Sequence, residues 1–458
     1  MLAARADTIV LKSGRRIAAT SVIEENGRVS YETRAGRLSL PKSVVDHIEL
    51  GGASYDESAA ELVLNPPAVE PAHEYDEVAG AAIHDGSIDR NYIAKLEESA
   101  GSGSAAAVAR VVAAHRAAAL FELSRSNTEQ ALAHYRLALT FAPQQASLLL
   151  NAAYIHLRRS EYTSALDYLE RARRVAPDSA DVAKLTGWTY YGLNKIDQAV
   201  EEWRRAQRIR PDAQVAQALE KAKRDQQTEA SYREGESAHF VLRYDGRAAP
   251  ALAREVLRVL EEHFRAIESE LNFTPPEPIG VILYTHQAFF DVTRAPAWSG
   301  AINDGRIRVP VQGLTRVDDE LSRILRHELT HSFIQQKTRG HCPVWLQEGV
   351  AQWMEGRRSG ENAGVLVAAY ESHRAVPLAA LEGSWMRMPA EVAAYAYTWS
   401  LGVVEYLVSR YGRGDIERLL DRIATEGSAE AAARSALHMD YSELEQETAK
   451  FLRRTYLR

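Results

Sequence analysis

The sequence is short of the features that mark several common protein classes. Its 458 residues include one cysteine, Cys342, which excludes an intramolecular disulfide and any cysteine-rich zinc module. No run of basic residues interleaved with aromatic ones is present, and the net charge of −7 is small, which argues against nucleic acid as a partner. No apolar stretch approaches the roughly 18 residues that a transmembrane helix needs. The length and the ordinary hydrophobic content of 46% predict a globular protein of about two to four domains.

The first residues bear on the compartment in which the protein works. In "MLAARADTIVL", Ala-Arg-Ala before Asp7 is similar to a small-residue export cleavage site, although no basic and apolar segment precedes it. Two expectations stay open: a cytoplasmic protein, or an exported one whose leader is missing from this start.

Residues 1–50 are expected to form a small β module. Apolar and polar residues alternate through four or five short runs, and Asn26-Gly27 between two such runs is a strong hairpin signal. Further turns are expected at Ser13-Gly14 and Ala35-Gly36. The layout resembles the Sm-like small barrels that precede some bacterial peptidase domains; a plain structural module is the alternative. Residues 51–105, rich in Pro, Gly and Ser, predict a linker with a short helix within residues 87–100.

A repeat with a period of 34 residues follows. Pro143, Pro177 and Pro211 each end a helical run, because proline cannot continue a helix. Each unit also carries two alanines, a bulky residue between them and a small residue in the preceding helix. These matched residues are Ala131, Ala138, Ala165, Ala172, Ala199 and Ala206; Tyr135, Leu169 and Trp203; and Ala119, Ala153 and Gly187.

The pattern is similar to the tetratricopeptide repeat, a pair of helices of this period. It places repeats at 112–145, 146–179 and 180–213 and a capping helix near 214–230, within an α-helical solenoid domain of residues 106–230. The resemblance implies a concave surface that recruits a protein partner or substrate. The alternative is that the repeats serve as a spacer and packing partner.

Residues 231–458 predict a third domain of α+β type, so that the whole chain is multidomain and mainly α. A strand at "AHFVLRYD", a long amphipathic helix and the strands "PIGVILYT" and "GRIRVPV" precede a run of helices. The next helix contains "LRHELTHSF", with Asp318 or Asp319 as its cap.

That helix carries the pattern that most concerns function. His327 and His331 lie four residues apart and share a face, so both imidazoles can reach one metal ion, while Glu328 lies one step round the helix. The alternative is that both histidines are ordinary half-buried side chains. A catalytic zinc takes three protein ligands. Glu348, in the middle of the apolar helix "PVWLQEGVAQWMEG", needs a partner for its charge and is the candidate third ligand.

His-Glu-x-x-His followed by Trp-Leu-x-Glu-Gly resembles the gluzincin zinc metallopeptidases, in particular the bacterial peptidase MA-like domains. The resemblance extends over about residues 236–458. Related enzymes offer an edge strand to an extended substrate just before the helix that carries the histidines, so the resemblance implies that "GRIRVPV" is such a strand. It implies a zinc ion held by His327, His331 and Glu348, with Glu328 as the general base that activates water for peptide-bond hydrolysis. In many gluzincins a carboxylate four residues after the glutamate ligand orients a histidine ligand; here Gln352 occupies that position.

Several further residues are candidates for the oxyanion donor or for additional metal ligands, and each has an alternative interpretation. The resemblance points to a tyrosine in "AYAYTWS" as donor to the oxyanion; Tyr395 aligns best and Tyr397 is close behind, although both can be core aromatics. His341 and Glu355 rank lower as ligands. Cys342 is a candidate switch ligand or an inert buried thiol. His373 and His286 are reserve candidates for the donor.

Three functions fit the sequence. The first is a zinc-dependent peptidase acting on a protein or peptide, with the repeats recruiting a partner. The second is a repeat-based interaction scaffold whose zincin-like domain is catalytically silent; an intact ligand set and an intact Glu328 argue against it. The third is a metallohydrolase that acts on a non-peptide amide.

Overall fold

The structure is a computed structural model, and it is mainly helical. It describes the following residues: 7–12, 16–19, 21–25, 27–33, 36–49, 64, 66–67, 75–84, 86–101, 103–125, 127–245, 250–293, 301–311, 313–385 and 388–457.

The N-terminal β region contains six strands among its described residues, where the sequence predicted four or five. They form two antiparallel three-stranded sheets with orders β2-β1-β6 and β3-β4-β5. Ile9, Val29 and Tyr31 are buried between them. Gly27 has a φ of +71°, as the predicted hairpin turn requires, whereas Ser13-Gly14, Asn26 and Ala35 lie outside the described residues. The strands are β1 (Asp7–Leu11), β2 (Arg16–Ala19), β3 (Ser21–Glu25), β4 (Arg28–Thr33), β5 (Gly36–Pro41) and β6 (Val45–Glu49).

The segment expected to be a linker is described only in part, since residues 51–63, 65 and 68–74 lie outside the described residues. Its second half contains α1 (Asp76–Ala82), a two-strand hairpin of β7 (Ile83–His84) and β8 (Ser87–Ile88), and α2 (Arg90–Ala100). The last of these is the short helix expected within residues 87–100. Asp89 caps its start, since the Asp89 carboxylate accepts from the backbone N–H of Tyr92.

In the described residues from 103 to 229, seven helices follow, in three pairs and one single helix, at the positions where the 34-residue period predicts them. Gly187 shows why one small residue is needed: a Cβ at this position would lie 2.4 Å from the Trp203 ring, so only glycine lets α7 and α8 approach. The identity of the units as tetratricopeptide repeats stays a prediction. The helices are α3 (Ala105–Ser124), α4 (Thr128–Phe141), α5 (Ala146–Arg158), α6 (Tyr162–Val175), α7 (Ala180–Gly192), α8 (Ile196–Ile209) and α9 (Ala213–Glu229).

A five-stranded sheet opens the C-terminal region. Its order is β12-β13-β11-β10-β9, with β10, β11 and β13 parallel and the two outer strands antiparallel to their neighbours. We expected the strand "GRIRVPV" to lie at the edge of the sheet, and this expectation was wrong. The strand pairs on both sides, and the short β12 forms the edge. The elements are β9 (Tyr232–Glu236), β10 (Phe240–Asp245), α10 (Pro250–Leu271), β11 (Ile279–Tyr284), α11 (His286–Thr293), β12 (Ile302–Asn303) and β13 (Arg306–Pro310).

The two faces of this sheet have different partners. Ile307 and Val309 of β13 lie in the main hydrophobic core with α10 and α12. Arg306 and Arg308, which alternate with them, point to the other face and contact α9 of the preceding helical region. The sheet is thus covered on both sides, and the helical region packs directly on the back of the sheet.

The remaining chain is helical. Asp318 caps α12 by accepting from the N–H of Leu321, as expected. No helix in the described part of the chain is both long enough and apolar enough to cross a membrane. The helices are α12 (Asp319–Lys337), α13 (Val344–Met354), α14 (Ala363–Glu371), α15 (Ala390–Tyr411), α16 (Arg413–Glu426), α17 (Ala429–Leu437) and α18 (Tyr441–Tyr456).

The close crossing of α13 and α15 depends on one glycine. A Cβ on Gly349 would lie 2.5 Å from the carbonyl oxygen of Ser400 and 2.7 Å from the Val404 side chain. Because the first of these is backbone, a side chain here would force the helices apart. Gly349 follows Glu348 directly, so the close packing also fixes where the Glu348 carboxylate stands.

Candidate metal centre and active site

His327 and His331 meet on one face of α12. Their Nε2 atoms lie 3.1 Å apart, and both side chains are nearly buried, with 17% and 15% of their surface exposed. Two nitrogens at zinc-bond lengths of about 2.0–2.1 Å from one tetrahedral ion would lie about 3.3 Å apart. The i, i+4 spacing therefore brings the imidazoles to a separation that a shared ion accepts.

The helix α13 brings the Glu348 carboxylate to the same point. Its Oε2 lies 3.4 Å from Nε2 of His327, and its Oε1 lies 3.7 Å from Nε2 of His331. One ligand atom from each of the three side chains falls within 4.8 Å of the other two, which is the only such group of three in the described part of the chain. A short loop after Lys337 turns the chain back, and α13 begins directly after Pro343, so that α13 packs against α12.

One atom of this group has an unmet requirement. Oε2 of Glu348 is buried and accepts no hydrogen bond. Nε2 of His327 lies 3.4 Å away, within ion-pair distance but without the geometry of a hydrogen bond, so this buried oxygen has exchanged its water for a weak contact. Two imidazole nitrogens and this oxygen are the donor set of a two-histidine, one-glutamate zinc site. The residues present therefore fit a divalent metal ion.

The charges around the two imidazoles are unequal. Burial opposes a charge on His327, but the adjacent carboxylates of Glu348 and Glu355 outweigh it and raise the pKa of His327 to about 10. Burial lowers the pKa of His331 to about 4 in spite of Glu348. The carboxylates thus favour a positive charge at His327, whereas burial disfavours one at His331.

The residue behind His327 is Glu355, not Gln352. An oxygen of Glu355 lies 3.5 Å from Nδ1 of His327, on the opposite side of the ring from the other ligands. Nε2 of Gln352 instead donates to the backbone oxygens of Glu348 and Tyr397, at 3.1 and 2.8 Å. Gln352 therefore joins α13 to α15 and does not orient a histidine. Glu355, ranked low as a ligand, holds the place of the orienting carboxylate.

Glu328 lies beside the three-residue group and is nearly buried. Burial raises the pKa of its carboxyl to about 7, with His327 opposing and Glu348 and Glu355 adding to the rise. Its backbone oxygen accepts from Nδ2 of Asn303 at 2.8 Å, and the same amide nitrogen donates to the Ser332 hydroxyl at 2.7 Å. Strand β12 is thereby tied to the helix that carries the histidines. Sequence reasoning missed Asn303, which bears no motif of its own.

The two candidate tyrosines of α15 face different surroundings. Burial and then Glu445 raise the pKa of Tyr395, whose hydroxyl is buried without a hydrogen-bond partner and whose ring stacks on Trp399. Burial raises the pKa of Tyr397 as well, but the carboxylates that add to its rise are Glu348 and Glu328. Two residues apart on a helix, the side chains point to different sides. The surroundings place Tyr397, rather than Tyr395, on the side of the metal-ligand candidates.

The other candidates lie outside the group. His341 contacts the backbone oxygen of Thr338 and the Arg158 guanidinium. Cys342 is buried, and burial raises the pKa of its thiol well above the usual value. His373 is exposed at the end of α14, and His286 packs its ring edge against Phe290 at the start of α11.

Comparison with known families agrees with this geometry. The family model of the Peptidase MA superfamily matches residues 269–454, which contain both helices of the site and Tyr397. This match supports an MA-clan metallopeptidase-like domain in the C-terminal region. A search of curated proteins found no match for the chain.

Proposed function

We propose that this protein is a zinc-dependent peptidase that hydrolyses peptide bonds in a protein or peptide substrate. His327, His331 and Glu348 are the proposed zinc ligands. The observation that carries the proposal is the convergence of the two imidazoles on the Glu348 carboxylate, whose buried Oε2 accepts no hydrogen bond and lies 3.4 Å from Nε2 of His327, in a region that matches the Peptidase MA superfamily.

The chain's own residues have distinct tasks in this reaction. When bound, zinc polarises a carbonyl and lowers the pKa of water. Glu328 is the proposed general base: it takes a proton from the attacking water and passes it to the leaving amine. Burial makes the Glu328 carboxylate a stronger proton acceptor than a solvent-exposed one, as a general base requires. Glu355 keeps the ring of His327 in one orientation and tautomer.

Three further elements are proposed to serve the substrate. Edge strand β12 is the end of the sheet nearest α12, and Asn303 fixes it there; an extended peptide can pair with such an edge. Tyr397 is the proposed donor to the oxyanion of the tetrahedral intermediate, in place of Tyr395, which the sequence favoured. The helical repeats are proposed to recruit a protein partner or substrate, as the tetratricopeptide-like period implies.

The first prediction concerns metal binding. Wild type is expected to bind one zinc per chain, and His331→Ala is expected to lose the ion because a ligand is gone. Glu355→Gln keeps all three ligands but weakens the support of His327, so its zinc affinity is expected to fall by about 10–100-fold. Zinc titration against a competing chelator measures all three.

The control for this series is His341→Ala, which removes a histidine outside the group and should bind zinc as wild type does. Equal zinc binding by His331→Ala and wild type would rule out the proposed ligand set. Loss of zinc in His341→Ala would move the site to the loop after α12.

The second prediction concerns the general base. Glu328→Gln keeps the size of the side chain but cannot take a proton, so hydrolysis is expected to fall by about 10²–10⁴-fold while zinc content stays unchanged. Digestion of a peptide library followed by mass spectrometry supplies the assay. The matched control is Glu320→Gln, an exposed glutamate of the same helix, which should keep full activity. Hydrolysis by Glu328→Gln within about tenfold of wild type would contradict the role.

The third prediction compares the two tyrosines. Tyr397→Phe removes a donor that meets charge only in the transition state, so kcat should fall by about 10²–10³-fold with KM nearly unchanged. Tyr395→Phe serves as the control and is expected to retain wild-type kinetics. The reverse result would restore Tyr395 as the donor, and normal kinetics in both variants would exclude both tyrosines.

A further inference from the structure

One face of α9 is charged and yet buried. Lys221, Asp225 and Glu229 recur at four-residue steps, and they are 3%, 0% and 6% exposed. Charged residues at this spacing usually line the solvent side of a helix. Here the face is turned onto the β12–β13 hairpin of the C-terminal sheet, which supplies the opposite charges.

Three residues of the hairpin, Asp304, Arg306 and Arg308, form ion pairs with this face of α9. Asp225 pairs with Arg306 and also with Arg308, at 2.8 Å for the latter. Glu229 lies 3.4 Å from Arg306 and accepts from the Tyr284 hydroxyl at 2.9 Å. Further ion pairs join Lys221 to Asp304, Asp304 to Arg308 at 3.0 Å, and Glu229 to Arg243 of β10 at 3.4 Å. Lys221, Arg306 and Arg308, together with the partly exposed Arg243, thus face the three carboxylates of Asp225, Glu229 and Asp304.

Such a network is a poor way to gain stability. Taking ions out of water costs about as much as their mutual attraction returns, and well-packed apolar residues often serve as well or better. Ion pairs with several partners are nevertheless directional, and they hold two surfaces in one register. What this network holds is the hairpin whose outer strand is the edge of the sheet.

The turn of the hairpin contacts two helices, α9 on one side and α12 on the other. Asp304 lies in the turn and pairs with Lys221 of α9. Its neighbour Asn303 donates to the backbone oxygen of Glu328 and to Ser332 of α12. Gly305 completes the turn with a φ of +94°, and its N–H donates to the Asn303 side-chain oxygen at 3.1 Å. Adjacent residues of one turn therefore bind the last helix of the repeat region and the helix of the candidate active site.

We propose that Lys221 and Asp304 are positioning residues for the reaction: their ion pair lets the last helix of the repeat region hold edge strand β12 at a fixed place over α12. Helix α9 follows α8 after a short connection, so a shift of the repeats on binding a partner would be passed to this strand. The expected effect on peptide hydrolysis rests on the proposed peptidase function. The expected effect on the position of β12 does not.

Lys221→Met tests the pair with little collateral damage. Methionine has a similar length and no charge, and Asp304 keeps Arg308 as a partner at 3.0 Å, so no carboxylate is left alone. The matched control is Lys223→Met on the same helix, where Lys223 pairs with the exposed Glu220. If Lys221→Met does not fold, Lys221→Gln removes the charge and keeps a donor, with the same expected result.

Two readouts are measured in the full-length protein. Hydrogen–deuterium exchange of residues 301–304 is expected to speed up roughly tenfold or more in Lys221→Met, with the core of α12 unchanged. In peptide hydrolysis KM is expected to rise roughly tenfold while kcat stays within about twofold, because the strand that receives substrate is displaced and the catalytic groups are not. Zinc affinity should not change, and Lys223→Met should match wild type in every respect.

The outcomes separate this inference from the proposed function. Unchanged exchange at residues 301–304, or exchange that rises equally throughout the sheet and α12, would overturn the positioning role. A kcat loss with an unchanged KM would do the same. If neither the wild type nor any variant cleaves a peptide, the peptidase proposal is contradicted. Hydrogen–deuterium exchange at residues 301–304 then decides by itself whether Lys221 and Asp304 position β12.

Discussion

The charge of Glu348 is buried beside two imidazoles, and much of the C-terminal region is arranged around that fact. A carboxylate in an apolar helix is tolerated only if something compensates it. The compensation requires α12 to present both histidines on one face, α13 to cross it closely, and α15 to support α13 from behind. Gly349 permits the last contact, since any side chain there would collide with the Ser400 carbonyl. The candidate chemistry and the local packing are therefore two aspects of one constraint.

The sheet connects this centre with the rest of the molecule. Its inner face supplies Ile307 and Val309 to the core below α12, and its outer face carries the arginines that pair with α9. One strand, β13, thus contributes to the support of the active-site helix and to the contact with the helical region. The short edge strand β12 lies at the junction of both, which is why a small displacement of α9 has a direct route to the place where a peptide would pair.

The sequence predicted best what depends on local spacing. Two histidines four residues apart share a helix face wherever that helix stands, and the cap at Asp318 and the 34-residue period of helix pairs follow from similarly local rules. The pairing of Gly187 with Trp203 is also local: the smallest of the three matched small residues lies opposite the largest of the three matched bulky ones. The position of Glu348 among apolar residues was also sufficient to suggest that it needs a partner.

Features that depend on how separate elements approach one another could not be predicted in this way. Glu355 rather than Gln352 reaches His327 because the end of α13 passes the ring, and no count along the sequence gives that angle. The choice between Tyr397 and Tyr395 depends on the rotation of α15 about its axis. Lys221, Asp225 and Glu229 have the spacing of a solvent-exposed face. Their burial is explained only by the opposite charges of Asp304, Arg306 and Arg308, which lie about 80 residues further along the chain. The place of β13 inside the sheet likewise depends on β12, a strand of two residues that carries no pattern of its own.

The central claim is that two imidazoles and one carboxylate in this fold form a zinc centre. X-ray absorption spectroscopy of the zinc-loaded protein tests it most directly, because the spectrum reports the ligand atoms themselves. The account predicts a shell of nitrogen and oxygen at about 2.0–2.2 Å with the outer-shell signal of two imidazoles and no sulfur. A zinc–sulfur distance near 2.3 Å, which would implicate Cys342, or a signal without imidazole would contradict it.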